Sequence, residues 1–439
     1  MKKNSLPLPL KLLLGIAVGA IIGVACLNQL KEVVAMVDGA LTVKPDVVLT
    51  DGQAFAFNAL QVISCVHRLM GQFVSFCVPL IVLGFICPSI TKLGNNAGRL
   101  LTVALIIAYL SSVLAATMSA VAGYVIVPMI NINEIQNGLS MPNPIFVLDI
   151  PQIMPVITAL VLSIVFGLAA VWTKAETTKK LLAEFQEIVL AIVEKAVIPM
   201  LPFYIGTTFV MLGFDGTISH FPAFLVAIVV VLVGHFIWMA VLYAIAGAYS
   251  GKNPVEVFRH YGPAYLTAVG TMSSAATLSV ALDCANKSKV LRKDLVGFGI
   301  PLFANIHLCG SVLTETFFVM LIHRVLVGTL PSLGTMVLFI VLLGVFAVGA
   351  PGVPGGTVVA SLGIVVSVIC AGNPVLTDKL PGFLLAIFAL QDSFGTACNV
   401  TGDGALTLFL TGYAEKHGIG QKVKATVSKA KKAMNSRKR

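Results

Sequence analysis

The sequence Gln391-Asp392-Ser393-Phe394-Gly395-Thr396-Ala397-Cys398-Asn399-Val400-Thr401-Gly402-Asp403 lies inside a long apolar stretch, between FLLAIFAL and ALTLFL. At about 100° per residue, four of its polar residues share one helical face: Asp392, Thr396, Asn399 and Asp403. A carboxylate at the centre of a bilayer costs roughly 2.5–3.5 kcal/mol on insertion scales. No Lys or Arg lies between Lys379 and Lys416 to neutralise two of them. We therefore predict a binding face rather than a packing face.

The composition of the chain indicates a polytopic membrane protein and excludes a soluble one. Of its 439 residues, 57% are hydrophobic and 11% are charged, with a mean hydropathy of +0.96. A membrane-spanning helix needs about 20 apolar residues. Apolar blocks of that kind lie near 6–27, 69–90, 100–129, 150–172, 187–213, 221–249, 295–327, 333–371 and 380–413.

The net charge of +10 does not indicate nucleic-acid binding, because nine of the 29 Lys and Arg follow Tyr413. A basic tail after the last span is a cytoplasmic topology signal with affinity for anionic lipid. The basic start of the chain also predicts a cytoplasmic N-terminus, so we expect a multi-pass protein of the plasma (inner) membrane. The eight cysteines lack metal-ligand spacing, and we predict neither a disulfide nor a zinc site.

Two stretches are predicted to enter the membrane and return on the same side. Residues 260–291 run between two basic segments and have a small, polar centre at 271–277. Residues 333–371 contain Gly349-Ala350-Pro351-Gly352-Val353-Pro354-Gly355-Gly356, which cannot form a continuous helix. Two hairpins dipping from opposite faces indicate an inverted-repeat transporter.

The block between the two hairpins is predicted to be an interrupted span. It reads Ile300-Pro301-Leu302-Phe303-Ala304-Asn305-Ile306-His307-Leu308-Cys309-Gly310-Ser311, followed by Thr314 and Glu315. The block therefore places a histidine and a glutamate at membrane depth.

These motifs resemble the dicarboxylate/amino-acid:cation symporters, the family that includes the glutamate transporters. The resemblance rests on Ser273-Ser274-Ala275-Ala276-Thr277-Leu278, Gly352-Val353-Pro354-Gly355 and Asn399-Val400-Thr401-Gly402-Asp403, with weaker matches at Pro142-Asn143-Pro144 and Met200-Leu201-Pro202-Phe203. It implies an all-α fold of eight spans plus two re-entrant helical hairpins, a homotrimer and an elevator motion. The implied division is scaffold spans 1 and 2 in 1–99, span 3 of the transport domain in 100–129, scaffold spans 4 and 5 in 130–215, the rest of the transport domain in 216–413, and a basic cytoplasmic tail in 414–439.

The resemblance also implies roles for individual residues. Asp392 resembles the acid that receives a substrate ammonium, with Thr396 and Asn399 as its polar neighbours. The other implied substrate ligands are Ser273, Ser274, Val353, Pro354, Gly355 and Gly395. Asp403 and Asn399 are the implied sodium ligands, and the remaining cation or proton positions are His307, Ser311 and Glu315. No other cofactor is expected.

The sequence departs from the family pattern at three places. The Asn-Met-Asp-Gly-Thr of the interrupted span is here His307-Leu308-Cys309-Gly310-Ser311, so an acid that helps to hold sodium is replaced. Gly395 stands where an arginine pairs with the second carboxylate of an acidic substrate, and Met272 replaces a first-hairpin arginine of some members. We therefore expect a neutral amino acid as substrate, with an acidic amino acid or C4-dicarboxylate as the alternative. Glu315 is the leading expected proton carrier and His307 the second.

Other functional classes fit the sequence less well. GAYSGKN at 247–253 does not match a phosphate loop, which argues against a primary pump. An enzyme is not expected, because no Ser/His/Asp or metal-ligand pairing is apparent and Asp392 and Asp403 lie roughly 16 Å apart along a helix. A channel stays open as an alternative, since the same hairpins could line a pore.

Overall fold

The computed structural model describes residues 8–37, 40–93, 99–131, 139, 141–350 and 355–419. These residues are predominantly helical. In chain order the helices are α1 Leu8–Leu30, α2 Asp51–Leu93, α3 Arg99–Ile126, α4 Val156–Trp172, α5 Glu176–Ile192, α6 Ile198–Phe214, α7 Phe221–Ser250, α8 Val255–Phe258, α9 Gly262–Thr271, α10 Ser274–Lys287, α11 Lys293–Ile306, α12 Cys309–Val327, α13 Leu333–Gly349, α14 Gly356–Ile364 and α15 Pro374–Lys416.

The expectation of an exclusively helical chain needs one correction. Strands β1 (Val34–Val37) and β2 (Ala40–Val43) form an antiparallel ribbon after α1, with Val34 opposite Val43. Both strands are short and rich in β-branched residues, which favour extended backbone. Val34 and Leu41 are each 3% exposed and pack on the ends of α1, α2 and α6, so the ribbon buries one of its faces.

The helices are long and apolar enough for a multi-pass membrane protein. Six stretches in the described part pass that test, and α15, which bends by 63° between Phe388 and Gln391, makes a seventh. Helix α4, with 17 residues, is shorter. Large apolar side chains point outward from α1, α3, α4 and α7, as expected of helices that face lipid. The expected count of eight spans remains a proposal.

The helix breaks occur where the sequence predicted them. In the first hairpin, α9 ends at Met272 with φ of +54°, and the Ser273 side chain caps α10 by accepting a hydrogen bond from the N–H of Ala276. The interrupted span breaks at His307 and Leu308, between α11 and α12. In the second hairpin, Gly355 precedes α14 with φ of +71°, a conformation that favours glycine.

Helices α12 and α15 lie at the centre of the fold. Every residue of α12 from Cys309 to Ile322 is buried. Helix α12 packs against α3, α7 and α15, while α15 also contacts α9 and α11. A separate contact joins α1 to α6, where Gly15, Gly19 and Gly23 allow the two backbones to approach closely. The predicted polar face of α15 is therefore enclosed by other helices.

Candidate functional site

Asp403 is bound to a histidine in the middle of the protein. Its carboxyl group is 1% exposed, and Oδ1 lies 3.0 Å from Nδ1 of His307. The other ring nitrogen, Nε2, lies 2.9 Å from Oγ of Ser111 on α3. Because His307 stands at the break between α11 and α12, with extended backbone, its ring can contact both α3 and α15. The structure thus joins two predicted site residues and adds a third, Ser111.

This arrangement corrects the expectation that no Ser/His/Asp pairing exists. Ser111, His307 and Asp403 are hydrogen-bonded in series, as in a hydrolase triad. However, Ser111 is 4% exposed and lies in the middle of α3, where the backbone N–H groups bond within the helix. Such a position supplies no pair of free donors for an oxyanion. The geometry therefore does not favour hydrolysis, and the pairing was missed because α3 is distant in sequence.

Asn399 binds the start of α12 with both ends of its amide. Its Oδ1 accepts hydrogen bonds from the backbone N–H groups of Gly310, at 2.7 Å, and Ser311, at 3.3 Å. Its Nδ2 donates to Oγ of Ser311 at 2.9 Å. The first N–H groups of a helix have no partner within that helix, so the broken span offers donors that a continuous one would not. A sodium ion at this place would have to compete with the N–H groups of α12 for Oδ1 of Asn399 and with the imidazole of His307 for Oδ1 of Asp403.

Gly395 lies where α12 and α15 pack tightly together. A Cβ atom there would lie 3.4 Å from the Cα, backbone N and Oγ of Ser311. A Cβ on Gly310 would lie 2.5 Å from the carbonyl oxygen of Gly395 and 2.6 Å from Cβ of Cys398. Small residues on both helices therefore hold Asn399 close to the α12 amides. Gly395 therefore has a packing role, and it also leaves this position without an arginine.

Asp392, at the other end of the polar face, is bound by the second hairpin. Its Oδ2 accepts a hydrogen bond of 2.6 Å from the backbone N–H of Gly355. Thr396, one turn further along α15, also hydrogen-bonds to the carboxyl group, and both side chains are buried. Val353 and Pro354, the other predicted ligands on this hairpin, lie outside the described residues.

Glu315 is fully buried on α12 and also contacts the second hairpin. Its Oε1 accepts a hydrogen bond from Oγ of Ser361 on α14, and its Oε2 has no partner in the part of the chain that the structure describes. A buried carboxyl group without a cation favours its neutral, protonated form, because an uncompensated charge is costly in a low-dielectric interior. The position thus suits a group that binds and releases a proton.

The predicted serines of the first hairpin lie at its turn. Ser273 caps α10, as described above, and its carbonyl oxygen accepts from the Thr277 hydroxyl at 2.9 Å. Ser274 is buried, 4% exposed, at the start of α10. Both helices of this hairpin contact α15. Neither serine takes part in the hydrogen bonds given above for the polar face.

The centre of the protein contains buried acids and no buried lysine or arginine among the described residues. The described residues also contain no group of three His, Cys, Asp or Glu that could hold a metal ion. The basic residues in ion pairs lie nearer the surface, for example Lys379, which binds Asp215 at 2.6 Å. The site can therefore bind ammonium groups or cations, but its described residues include no buried lysine or arginine to pair with an additional carboxylate.

A second polar region is a cavity of about 780 Å³ between α2, α6 and the start of α15. Its lining includes His67, Arg68, Asn143 and Asp378. At its rim, hydrogen bonds from Arg68 and Gln72 lower the pKa of Asp149 below the ordinary value of 3.8. Residues 142–144, which match the family pattern weakly, line this cavity together with residues at the start of α15.

Three residues that contact the site were not identified from the sequence: Ser111, His235 and Ser361. His235, fully buried on α7, lies with Nε2 3.1 Å from the carbonyl oxygen of Gly310. A signal for Ser111 existed, since the buried residues of α3 are all alanine, serine or glycine at helical spacing. Such a surface allows close approach of another helix. No comparable pattern marks His235 or Ser361.

Comparison with known proteins identifies the family. Residues 8–412 match the model of the sodium:dicarboxylate symporter family, and the chain belongs to this family. The serine/threonine transporter SstT of Streptococcus thermophilus is 30% identical over 269 residues, which cover 59% of this chain and 63% of the relative.

The relatives also include animal transporters. Excitatory amino acid transporter 3 of mouse is 32% identical over 165 residues, 38% of this chain and 29% of that protein. Human excitatory amino acid transporter 2 is 28% identical over 250 residues, 55% of this chain and 41% of that protein. These alignments thus span less than two thirds of each relative's length.

Proposed function

We propose that the protein is a secondary active symporter that takes up a small neutral amino acid together with sodium, protons or both. The observation that carries this proposal is the set of buried acids without a buried lysine or arginine among the described residues. Asp392 offers a carboxylate to a substrate ammonium, whereas an additional substrate carboxylate would be buried without a cationic partner, which is strongly unfavourable. The name of the SstT relatives, serine/threonine transporter, supports the same substrate class.

Protons and sodium ions are proposed to bind to two different sets of residues. Glu315, with one carboxyl oxygen unpartnered in the described part, is the leading proton carrier, and His307 is the second. Asp403, Asn399 and Ser311 would contribute to a sodium site. Each positive charge moved inward gains about 2.3 kcal/mol per 100 mV. One net charge per cycle thus supports a substantial concentration gradient.

An elevator mechanism with eight spans, two re-entrant hairpins and a homotrimer completes the proposal. The scaffold would comprise 1–99 and 130–215, and the transport domain 100–129 and 216–413. Helix packing supports this division, because α1 contacts α6 and α2 contacts α4 and α5, whereas α3 contacts α12. Oγ of Ser119 on α3 also donates a hydrogen bond of 2.6 Å to the carbonyl oxygen of Leu313 on α12, which joins α3 to the proposed transport domain.

The proposed location is the plasma (inner) membrane, with both termini and the basic tail 414–439 in the cytoplasm. The second hairpin would then open to the outside. A cysteine introduced at Val353 should react with an impermeant thiol reagent added outside, and less so with substrate present. A matched cysteine at Val423 in the tail should react only from the cytoplasm. Labelling of position 353 from the cytoplasm alone would contradict this topology.

The function is tested by uptake into proteoliposomes that contain the purified protein. Serine, alanine, aspartate and succinate are offered separately, with imposed sodium or proton gradients and a defined membrane potential. We expect saturable accumulation of serine or alanine against a gradient, dependent on at least one of the two ions. Flux that equilibrates without accumulating substrate would indicate a channel instead.

An acidic amino acid or a C4-dicarboxylate is the second candidate substrate. The family description and the names of the excitatory amino acid transporters favour it. Among the described residues no Lys or Arg is buried, and the imidazole of His307 already has Asp403 as its partner. Accumulation of aspartate or succinate, without serine or alanine uptake, would replace the neutral substrate with this class.

A further inference from the structure

His235 contacts the broken span from a helix that carries none of the predicted site residues. It is fully buried in the middle of α7. Its Nε2 lies 3.1 Å from the carbonyl oxygen of Gly310 and 3.0 Å from Oγ1 of Thr314. Both contacts lie within the first two turns of α12, where the span resumes after its break.

The hydrogen bonds around His235 define which ring nitrogen carries the hydrogen. The Thr314 hydroxyl donates to the carbonyl oxygen of Gly310 at 3.0 Å, so its own oxygen is left to accept. A carbonyl oxygen can only accept. Nε2 therefore carries the hydrogen and donates to this pair. The other nitrogen, Nδ1, is buried without a partner among the described residues, which suits a neutral ring that needs no second donor contact.

The peptide unit between Gly310 and Ser311 is held from two sides. Its carbonyl oxygen accepts from His235 on α7. Its N–H group, that of Ser311, donates to Oδ1 of Asn399 on α15 at 3.3 Å. The C=O and N–H groups of a trans peptide point in opposite directions. A donor on α7 therefore helps to set the direction in which the α12 N–H groups face Asn399.

We propose that His235 is a positioning residue for the substrate and cation site, acting through the Gly310–Ser311 peptide rather than by carrying a proton. The inference rests on the proposed function only in assigning Asn399 to that site. Without the Nε2 donor, the carbonyl oxygen of Gly310 loses one of its side-chain partners, and the N-terminal turn of α12 becomes less ordered. The N–H groups of Gly310 and Ser311 then no longer point steadily at Oδ1 of Asn399.

Two polar variants test this proposal. In H235Q, the side-chain amide nitrogen lies about as far from the backbone as Nε2 of histidine and cannot titrate. In H235N, the amide nitrogen is too short to reach Gly310. We expect H235Q to retain the wild-type KM for the transported amino acid and the wild-type pH profile. We expect H235N to raise the KM about tenfold, the effect of losing one buried hydrogen bond.

A second measurement does not depend on transport. Amide hydrogen exchange of a peptide that covers Gly310 and Ser311 reports the order of the α12 N-terminus. We expect faster exchange there in H235N, wild-type exchange in H235Q, and no change in a distant peptide from α1. Equal exchange and KM in both variants, or a pH profile altered in H235Q, would overturn the proposal. Absence of uptake by the wild type would refute the proposed function and leave the exchange measurement as the test.

Discussion

The two ends of the polar face of α15 are bound by different kinds of partner. At the helix end, defined as Asp403, His307 and Ser111, side chains from α3, α15 and the break between α11 and α12 form the contacts. At the hairpin end, defined as Asp392, Glu315, Gly355 and Ser361, both acids bind the second hairpin.

The difference separates an acid with an imidazole partner from two acids whose partners belong to a hairpin. Asp403 has a basic side chain as its partner, whereas Asp392 and Glu315 receive hydrogen bonds from uncharged groups. Moving the second hairpin would break the contacts of Asp392 and Glu315 but leave those of Asp403 intact. Under the proposed function, in which Asp392 binds substrate and the second hairpin opens to the outside, substrate binding and opening would influence each other at the hairpin end. The following predictions test that difference.

The largest effect is expected at Asp392. Asp392→Asn removes the carboxylate proposed to bind the substrate ammonium, and should abolish amino-acid binding and uptake while the assembly stays intact. The matched control is Asp378→Asn, which changes an exposed acid on the same helix. Uptake assays and size-exclusion chromatography measure both. Unchanged affinity in Asp392→Asn would argue for a dicarboxylate substrate.

The next largest effect is expected from breaking the pair at the helix end. Leaving one partner of a buried hydrogen bond unsatisfied costs about 1–3 kcal/mol, so Asp403→Asn, which removes the carboxylate that faces His307, should lower the free energy of unfolding in detergent by about that amount. The exposed acid Asp283 provides the control, with a change within about 0.5 kcal/mol for Asp283→Asn.

A double-mutant cycle separates the pair from its two members. His307→Asn combined with Asp403→Asn should cost less than the sum of the two single substitutions, because no lone partner remains. Additive costs would mean that the two residues do not interact, and would remove the distinction between the two ends.

An intermediate effect is expected for Glu315. Wild-type uptake should rise severalfold as the external pH falls, because the protonated acid can cross the membrane without an uncompensated charge. Glu315→Gln imitates the protonated form and should make uptake insensitive to pH, while Glu187→Gln, at an exposed position on α5, should retain the response. If uptake requires sodium and ignores pH at constant membrane potential, Glu315 is a protonated core residue without a transport role.

The smallest effects are expected from the serines at the two ends. Ser361→Ala should raise the substrate KM severalfold, since it removes the hydrogen bond that joins Glu315 to the second hairpin. Ser111→Ala should lower the free energy of unfolding by about 1 kcal/mol with little change in KM. Ser112, a buried serine without a hydroxyl partner in the described part, gives a neutral Ser112→Ala control. A raised KM in Ser111→Ala together with a loss of stability alone in Ser361→Ala would contradict the difference between the two ends.

The sequence was sufficient for the coarse fold and for the polar face of α15, whose residues the structure buries together. The period of polar residues identified the face that contains Asp392, Asn399 and Asp403, because helical spacing alone determines which residues share a side. Proline, glycine and small polar residues identified the helix breaks, because these residues weaken or end a helix locally. The ribbon at Val34–Val43 was missed, because its two short strands carry little periodic signal.

The partners of those residues were decided by the tertiary structure. Ser111 reaches His307 only because α3 packs on α12, and His235 reaches Gly310 only because α7 packs beside the break. Both contacts join residues far apart in the chain, and nothing in local spacing encodes which helices become neighbours. The sequence by itself determined that buried acids lie on one face of a membrane helix, since that depends on composition and helical period. Whether each acid faces an imidazole or a backbone N–H depended on helix packing, because hydrogen-bond partners are defined by distance in space.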